Sequence, residues 1–218
     1  MQGHRKENQD RVGIVVAERA AMLLTFDGMG GHTDGGRAAD VALATVEKLF
    51  RDTPKPVFDP QGFLYTALGR AHDEVVRDGE NIHVDERPRA TCAICLVQDR
   101  AAYWAHVGDS RVYLLRNSRV HERTRDHSHV EVLLQEGVIK EHQIAAHPMR
   151  NFVESCLGGD APLPGITVSR KKPLKAGDVL IACTDGVWSG IGERELARLA
   201  CRDDQPILTN LREVLDRA

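Results

Sequence analysis

The 218-residue chain is 42% hydrophobic and 28% charged, an ordinary globular composition with enough length for one large core or at most two small ones. Its 29 Lys and Arg stand against 32 Asp and Glu, a net charge of −3, so no overall positive field recommends a nucleic-acid partner. The five cysteines are odd in number and scattered, and no signal peptide or apolar run of about 18 residues is visible, which excludes a disulfide framework and leads to the expectation of a soluble protein of the reducing cytoplasm.

In chain order, residues 11–16 and 22–26 are apolar and partly β-branched and are expected to be strands, the second running into an Asp-Gly-Met-Gly-Gly loop at 27–31. The period then changes. Ala39, Leu43, Val46 and Phe50 fall on one helical face, as do Leu64, Ala67, Leu68, Ala71 and Val75, with Pro54, Pro56 and Pro60 separating the two helices. Residues 93–97, 102–107, 112–115 and a short run near Val120 return to strand, and their short links predict antiparallel hairpins. Between 127 and 162 the pattern is irregular and locally helical, at 130–135 and 141–146, which predicts a flap-like excursion. Strands at 166–169 and 179–182 follow, then helices near 193–200 and 205–217, with Asp203-Asp204 capping the last. Hairpin runs flanked by amphipathic helices predict an α+β fold of sheets packed face to face with helices outside. A parallel doubly wound sheet fits poorly, because strand and helix do not alternate.

Two Asp-Gly pairs, Asp27-Gly28 and Asp185-Gly186, each follow an apolar strand and put a carboxylate and a freely folding backbone at a sheet edge. Taken singly, such a pair is most simply turn chemistry. Brought together, two carboxylates repel unless a cation lies between them, and hard ions such as Mg²⁺ and Mn²⁺ want that oxygen donor set. Asp10 lies just before the first strand and Asp109 just after another, so four acidic residues share the same placement. The Cys92-Ala-Ile-Cys95 pair lacks a second Cys or His pair at zinc spacing and is expected to be buried and structural. Lys171-Lys172 is expected to be a solvated strand end.

The ordered set Arg5, Asn8-Gln9-Asp10, Asp27-Gly28-Met29-Gly30-Gly31-His32, Gly108-Asp109-Ser110-Arg111, Asp126-His127-Ser128 and Thr184-Asp185-Gly186 resembles the PPM, or type 2C, protein phosphatases in their bacterial form. The resemblance implies a four-layer αββα sandwich of two antiparallel sheets, in a single catalytic domain over 1–218 with a flap at about 127–162. It implies two Mn²⁺ or Mg²⁺ ions and a third, weaker site. Asp27 would bridge the two ions, the Gly28 carbonyl would complete one, Asp185 would hold the other, Asp10 would act through water, and Asp109 would join Asp185 at the third. A water activated between the ions would attack phosphorus in phosphoserine or phosphothreonine of a protein, with Arg5 gripping the phosphate. The expected partners are phosphorylated proteins and a cognate Ser/Thr kinase pathway, with no nucleic acid or membrane, for a monomer. Asp126-His127-Ser128 matches a structural turn opening the flap, which removes the metal reading of His127 and His129.

Three departures from the family pattern stand out. Met29 occupies the place of a histidine thought to protonate the leaving group in animal relatives, as methionine commonly does in bacterial members, so the general acid is unassigned: His32 is the nearest candidate, beside a structural loop role, and a metal-bound water is another. Gln9 replaces an acidic residue of some relatives. No Asp-Asn pair of the family's closing strand, whose aspartate joins the metal site, follows the last helix; the expectation is that the given sequence ends before that strand, the other reading being a protein that lacks this ligand. An impaired pseudophosphatase acting as a regulatory binding module is the alternative, and a two-metal enzyme acting on nucleic acid or a small phosphodiester is a third reading.

Overall fold

The computed structural model describes residues 8–29, 35–144, 146–160 and 162–218. The first part forms β1 (Asp10–Ala17), β2 (Ala20–Met29), α1 (Gly35–Asp52), α2 (Pro60–Asp78), β3 (Arg89–Gln98) and β4 (Ala101–Val107). The middle forms β5 (Arg111–Arg116), β6 (Arg119–Arg123), α3 (His129–Gln135), α4 (Glu141–Ile144) and the two-residue strands β7 (Leu157–Gly158), β8 (Thr167–Val168) and β9 (Lys172–Pro173). The last part forms β10 (Val179–Cys183), the single turn α5 (Asp185–Trp188), α6 (Glu193–Ala200) and α7 (Ile207–Arg217).

Two antiparallel sheets result. One runs β1-β2-β3-β4-β8, with β7 beside β3 and β9 beside β4, and the other runs β10-β5-β6. The hairpins expected from short links are present, and two turn on non-glycine residues at positive φ, Asp99-Arg100 and Asn117-Ser118, the geometry that matches strand twist. The sheets face each other across Ala93, Cys95, Ala102, Trp104, Val112 and Leu114. Helices α1 and α2 bury Ala39, Val46, Phe50, Leu64, Leu68 and Val75 against the outer face of the first sheet, and α6 and α7 bury Leu196, Leu199 and Val214 against the second. The expected four-layer αββα sandwich is therefore the fold. Helix α2 starts where its chemistry says it should: the Asp59 carboxylate accepts from the Gly62 N–H at 3.0 Å, and Pro60 occupies the first turn.

Several expectations are corrected by partner strands and caps. The Asp27–Met29 stretch is strand rather than loop, because it pairs with Arg89–Thr91 of β3. Strands β7 and β9 and the turn α5 carry no periodic signal and lie outside the expected elements; the two strands owe their geometry to neighbours, β7 to β3 and β9 to β4. The Asp203-Asp204 pair does not cap the last helix: Pro206 holds that position, and Asp204 is bound by Arg202 at 3.1 Å. Lys172 is not a free strand end, since it pairs with Glu122 and lies 5.5 Å from the Trp104 ring centroid. Cys92 and Cys95 are buried on opposite faces of β3, and burial pushes each thiol up to about 12, so both stay protonated as the structural reading requires.

The excursion between β6 and β8 is closed at its neck. The His129 N–H donates to the Phe152 carbonyl at 3.0 Å and the Glu154 N–H to the His127 carbonyl at 2.8 Å. Among the described residues β1 and β10 are sheet edges, and Val12, Ile14 and Val16 on β1 are 73%, 72% and 74% exposed. No helix among the described residues is long and apolar enough to cross a membrane.

Candidate metal centre

Strand register makes the first contact. Asp10 on β1 lies directly opposite Asp27 on β2, a placement that sets like charges against each other. The Asp10 N–H donates to Asn8 Oδ1 at 2.8 Å, and its carboxylate accepts from Thr184 Oγ1 at 3.1 Å, which joins the edge of the first sheet to the end of β10. Thr184 stands just ahead of α5, so Asp185 is delivered to the same place by the second sheet. Asp109 arrives from the β4–β5 turn, buried like Asp27.

These four carboxylates act on one another. Burial first, then Asp185, Asp10 and Asp109, pushes the Asp27 carboxyl far above the usual carboxylate range, and Asp27 and Asp185 share a hydrogen bond. Burial, then Asp185 and Asp126, pushes Asp109 up to about 6. Gly28 is required by space: a Cβ there would lie 2.0 Å from the Gly35 carbonyl oxygen at the start of α1, and the Gly28 N–H is taken by the Gln9 carbonyl at 3.3 Å. Among the described residues, no group of three or more Asp, Glu, His and Cys side chains closes on one point as a cage for an ion. The donor chemistry nevertheless suits Mg²⁺ or Mn²⁺. Such ions take few carboxylates at a time and keep waters and backbone carbonyls, while Asp27 among three further carboxylates carries charge that a proton or a cation must offset.

The expected site residues Asp10, Asp27, Asp109 and Asp185 thus come together with Gly28. Arg5 and His32 lie outside the described residues. His127 and His129 do not form a pair: His127 accepts the Gly108 N–H at 3.2 Å and bonds Thr167 at 2.8 Å, whereas His129 meets Glu154 at 2.9 Å. His106, which nothing in the sequence singles out, stacks on His127 with ring centroids 4.4 Å apart, and burial lowers it to about 4, so the stack carries no charge at neutral pH.

A second group of side chains lies beside the carboxylates: Arg111 and Asp126, both inside the sequence motifs quoted above, and Trp188, outside them. Arg111 makes a two-pronged bond to Asp126 at 2.8 and 2.6 Å and stacks 3.7 Å from the Trp188 ring centroid. The Trp188 indole N–H donates to the Asp109 carbonyl at 3.0 Å. For Trp188 the hint in the sequence is spacing, three residues after Asp185.

The family described as Protein phosphatase 2C matches residues 3–216. Protein phosphatase PhpP of Streptococcus pneumoniae is 28% identical over 207 residues, covering 91% of this chain and 80% of its own. Serine/threonine phosphatase stp of Listeria innocua is 27% identical over 199 residues, covering 89% and 78%. Among solved structures, serine/threonine phosphatase Stp1 from Staphylococcus aureus superposes with a TM-score of 0.86 at 25% identity, covering 98% of this chain and 84% of that one.

Proposed function

This chain belongs to the type 2C, or PPM, family and is a protein serine/threonine phosphatase, and from that premise we propose that it hydrolyses phosphoserine and phosphothreonine using divalent ions held by Asp10, Asp27, the Gly28 carbonyl, Asp109 and Asp185. The observation that carries this reading is the buried Asp27 carboxyl pressed by three others. Bound there, two Mn²⁺ or Mg²⁺ ions supply positive charge that lowers the proton affinity of a nearby water and offsets the charge of a phosphoester.

The chain's own residues do the rest. Thr184 orients the Asp10 carboxylate through its hydroxyl, leaving one oxygen for a ligand. Gly28 lets the β2 backbone approach α1 beside Asp27, and its carbonyl is assigned to an ion on sequence pattern alone. Arg5 is assigned the phosphate and His32 the leaving-group proton, on sequence pattern alone. The excursion closed at 127–129 and 152–154 is assigned the choice of peptide. Opposition to a Ser/Thr kinase in the cytoplasm, by a monomer, completes the reading.

The deciding experiment is phosphate release from a phosphothreonine peptide with Mn²⁺, with EDTA and Asp27→Ala as controls. Release that needs Mn²⁺ and vanishes in both controls is expected, together with a Mn²⁺-induced rise in Tm that Asp27→Ala abolishes. Release that persists in EDTA, or a Tm rise that survives Asp27→Ala, would sink the metal assignment. The comparisons lend nothing to the pseudophosphatase alternative, and absent turnover by a chain that still binds Mn²⁺ would be the result in its favour.

A further inference from the structure

Asp109 and Asp185 reach the site on separate segments, the β4–β5 turn and α5. Trp188 joins them. It stands on the same helical turn as Asp185, and its indole N–H donates to the Asp109 carbonyl at 3.0 Å. The ring has little freedom to leave: Arg111 stacks on it at 3.7 Å and is itself gripped by the buried Asp126 carboxylate. The turn is equally fixed on its other flank. The Gly108 N–H donates to His127 Nδ1, the His127 N–H donates to the Gly108 carbonyl at 2.8 Å, and Ser110 bonds Thr91 at 2.8 Å. Those contacts hold the turn to its own surroundings, whereas Trp188 ties it to the segment bearing the second carboxylate.

Two carboxylates that repel each other drift apart unless something rigid and uncharged holds their backbones. A large ring clamped on one face, with one directional N–H, is such a tie, and partners of this kind that orient ligands govern affinity for the ion. We propose that Trp188 is a positioning residue that sets the spacing of Asp109 and Asp185, and hence the affinity for the ion those two share; this rests on the carboxylate site proposed above. A merely structural Trp188, packed against the core under α6, would change stability and leave ion affinity alone.

The test compares the wild-type chain with Trp188→Phe, which keeps a ring on Arg111 and deletes the N–H, and with Trp104→Phe, Asp109→Asn and Asp185→Asn. Mn²⁺ is titrated calorimetrically into EDTA-stripped protein, and urea unfolding, tryptophan emission and phosphopeptide kinetics are recorded. Trp188→Phe should weaken the Mn²⁺ step lost in Asp109→Asn by about ten- to a hundredfold, lower kcat with KM little changed, and leave the urea midpoint near wild type. In Trp104→Phe, whose one remaining indole is Trp188, emission should respond over the Mn²⁺ range of that step. A wild-type isotherm for Trp188→Phe, with Asp109→Asn and Asp185→Asn both losing the step, would overturn the role of Trp188 alone. Wild-type isotherms for the two Asn variants would overturn the carboxylate site and this proposal with it. Should Trp188→Phe fail to fold, Trp104→Phe still decides: emission indifferent to Mn²⁺ overturns the proposal.

Discussion

At the scale of single residues, the centre is defined by what its neighbours forbid. Gly28→Ala would drive a methyl group into the Gly35 carbonyl, backbone that cannot swing aside like a side chain. We expect a loss of at least about 2 kcal/mol in urea unfolding and a matching loss of Mn²⁺-dependent turnover; an alanine variant of wild-type stability would contradict the close approach of β2 and α1. Asp126→Ala would strip the acidic partner from Arg111, whose largely buried guanidinium stacks on Trp188 and would keep the neutral Tyr113 hydroxyl as an acceptor. Breaking a buried pair from one side costs about 3–5 kcal/mol, so this variant should unfold at clearly lower urea, while a change of a few tenths would show the pair to be effectively solvated.

At the scale of elements, the second sheet depends on a clamp outside its ladder. Arg116, the last residue of β5, grips Asp178 through two bonds of 2.7 Å, and Asp178 also accepts the Lys175 N–H at 2.8 Å just before β10 begins. Chiefly through Arg116, the Asp178 carboxyl is held below the usual carboxylate range. A depressed carboxylate contributes stability that is present above its unfolded pKa and disappears as pH falls through its native value. Asp178→Asn should therefore melt below wild type near neutrality, and the two Tm values should converge below roughly pH 4. A Tm difference that stays constant down to acid pH would show that Asp178 acts by shape and not by charge. Beyond it β10 is paired on one side only among the described residues, unlike the interior strands β2 and β3, which are paired on both sides.

At the scale of the whole molecule, burial is uneven. Phe50 is fully buried between α1 and the first sheet, in edge contact with Phe63 at 6.2 Å, whereas Ile14 on the opposite side of that sheet is 72% exposed. Phe50→Ala should cost about 3–5 kcal/mol and Ile14→Ala no more than about 0.5 kcal/mol in urea unfolding; comparable costs would mean that the β1 stripe is covered in solution. Sequence by itself pointed to face-to-face sheets with helices outside, because hydrophobic period is a local property of the chain, and singled out Asp10, Asp27, Asp109 and Asp185, because each sits beside a strand; the four-layer form and the ligand roles of these aspartates were what the family resemblance implied. It also determined that Cys92 and Cys95 belong to a strand interior. Tertiary structure decided what depends on a partner far away in the chain. Asp27 to Met29 are strand because β3 is there to pair with them, β7 and β9 exist only beside longer strands, and Asp204 turns to Arg202 instead of capping α7. The tie from Trp188 to Asp109 spans 79 residues, and no spacing rule reaches that far: side-chain direction at the end of one sheet is set by the packing of the other.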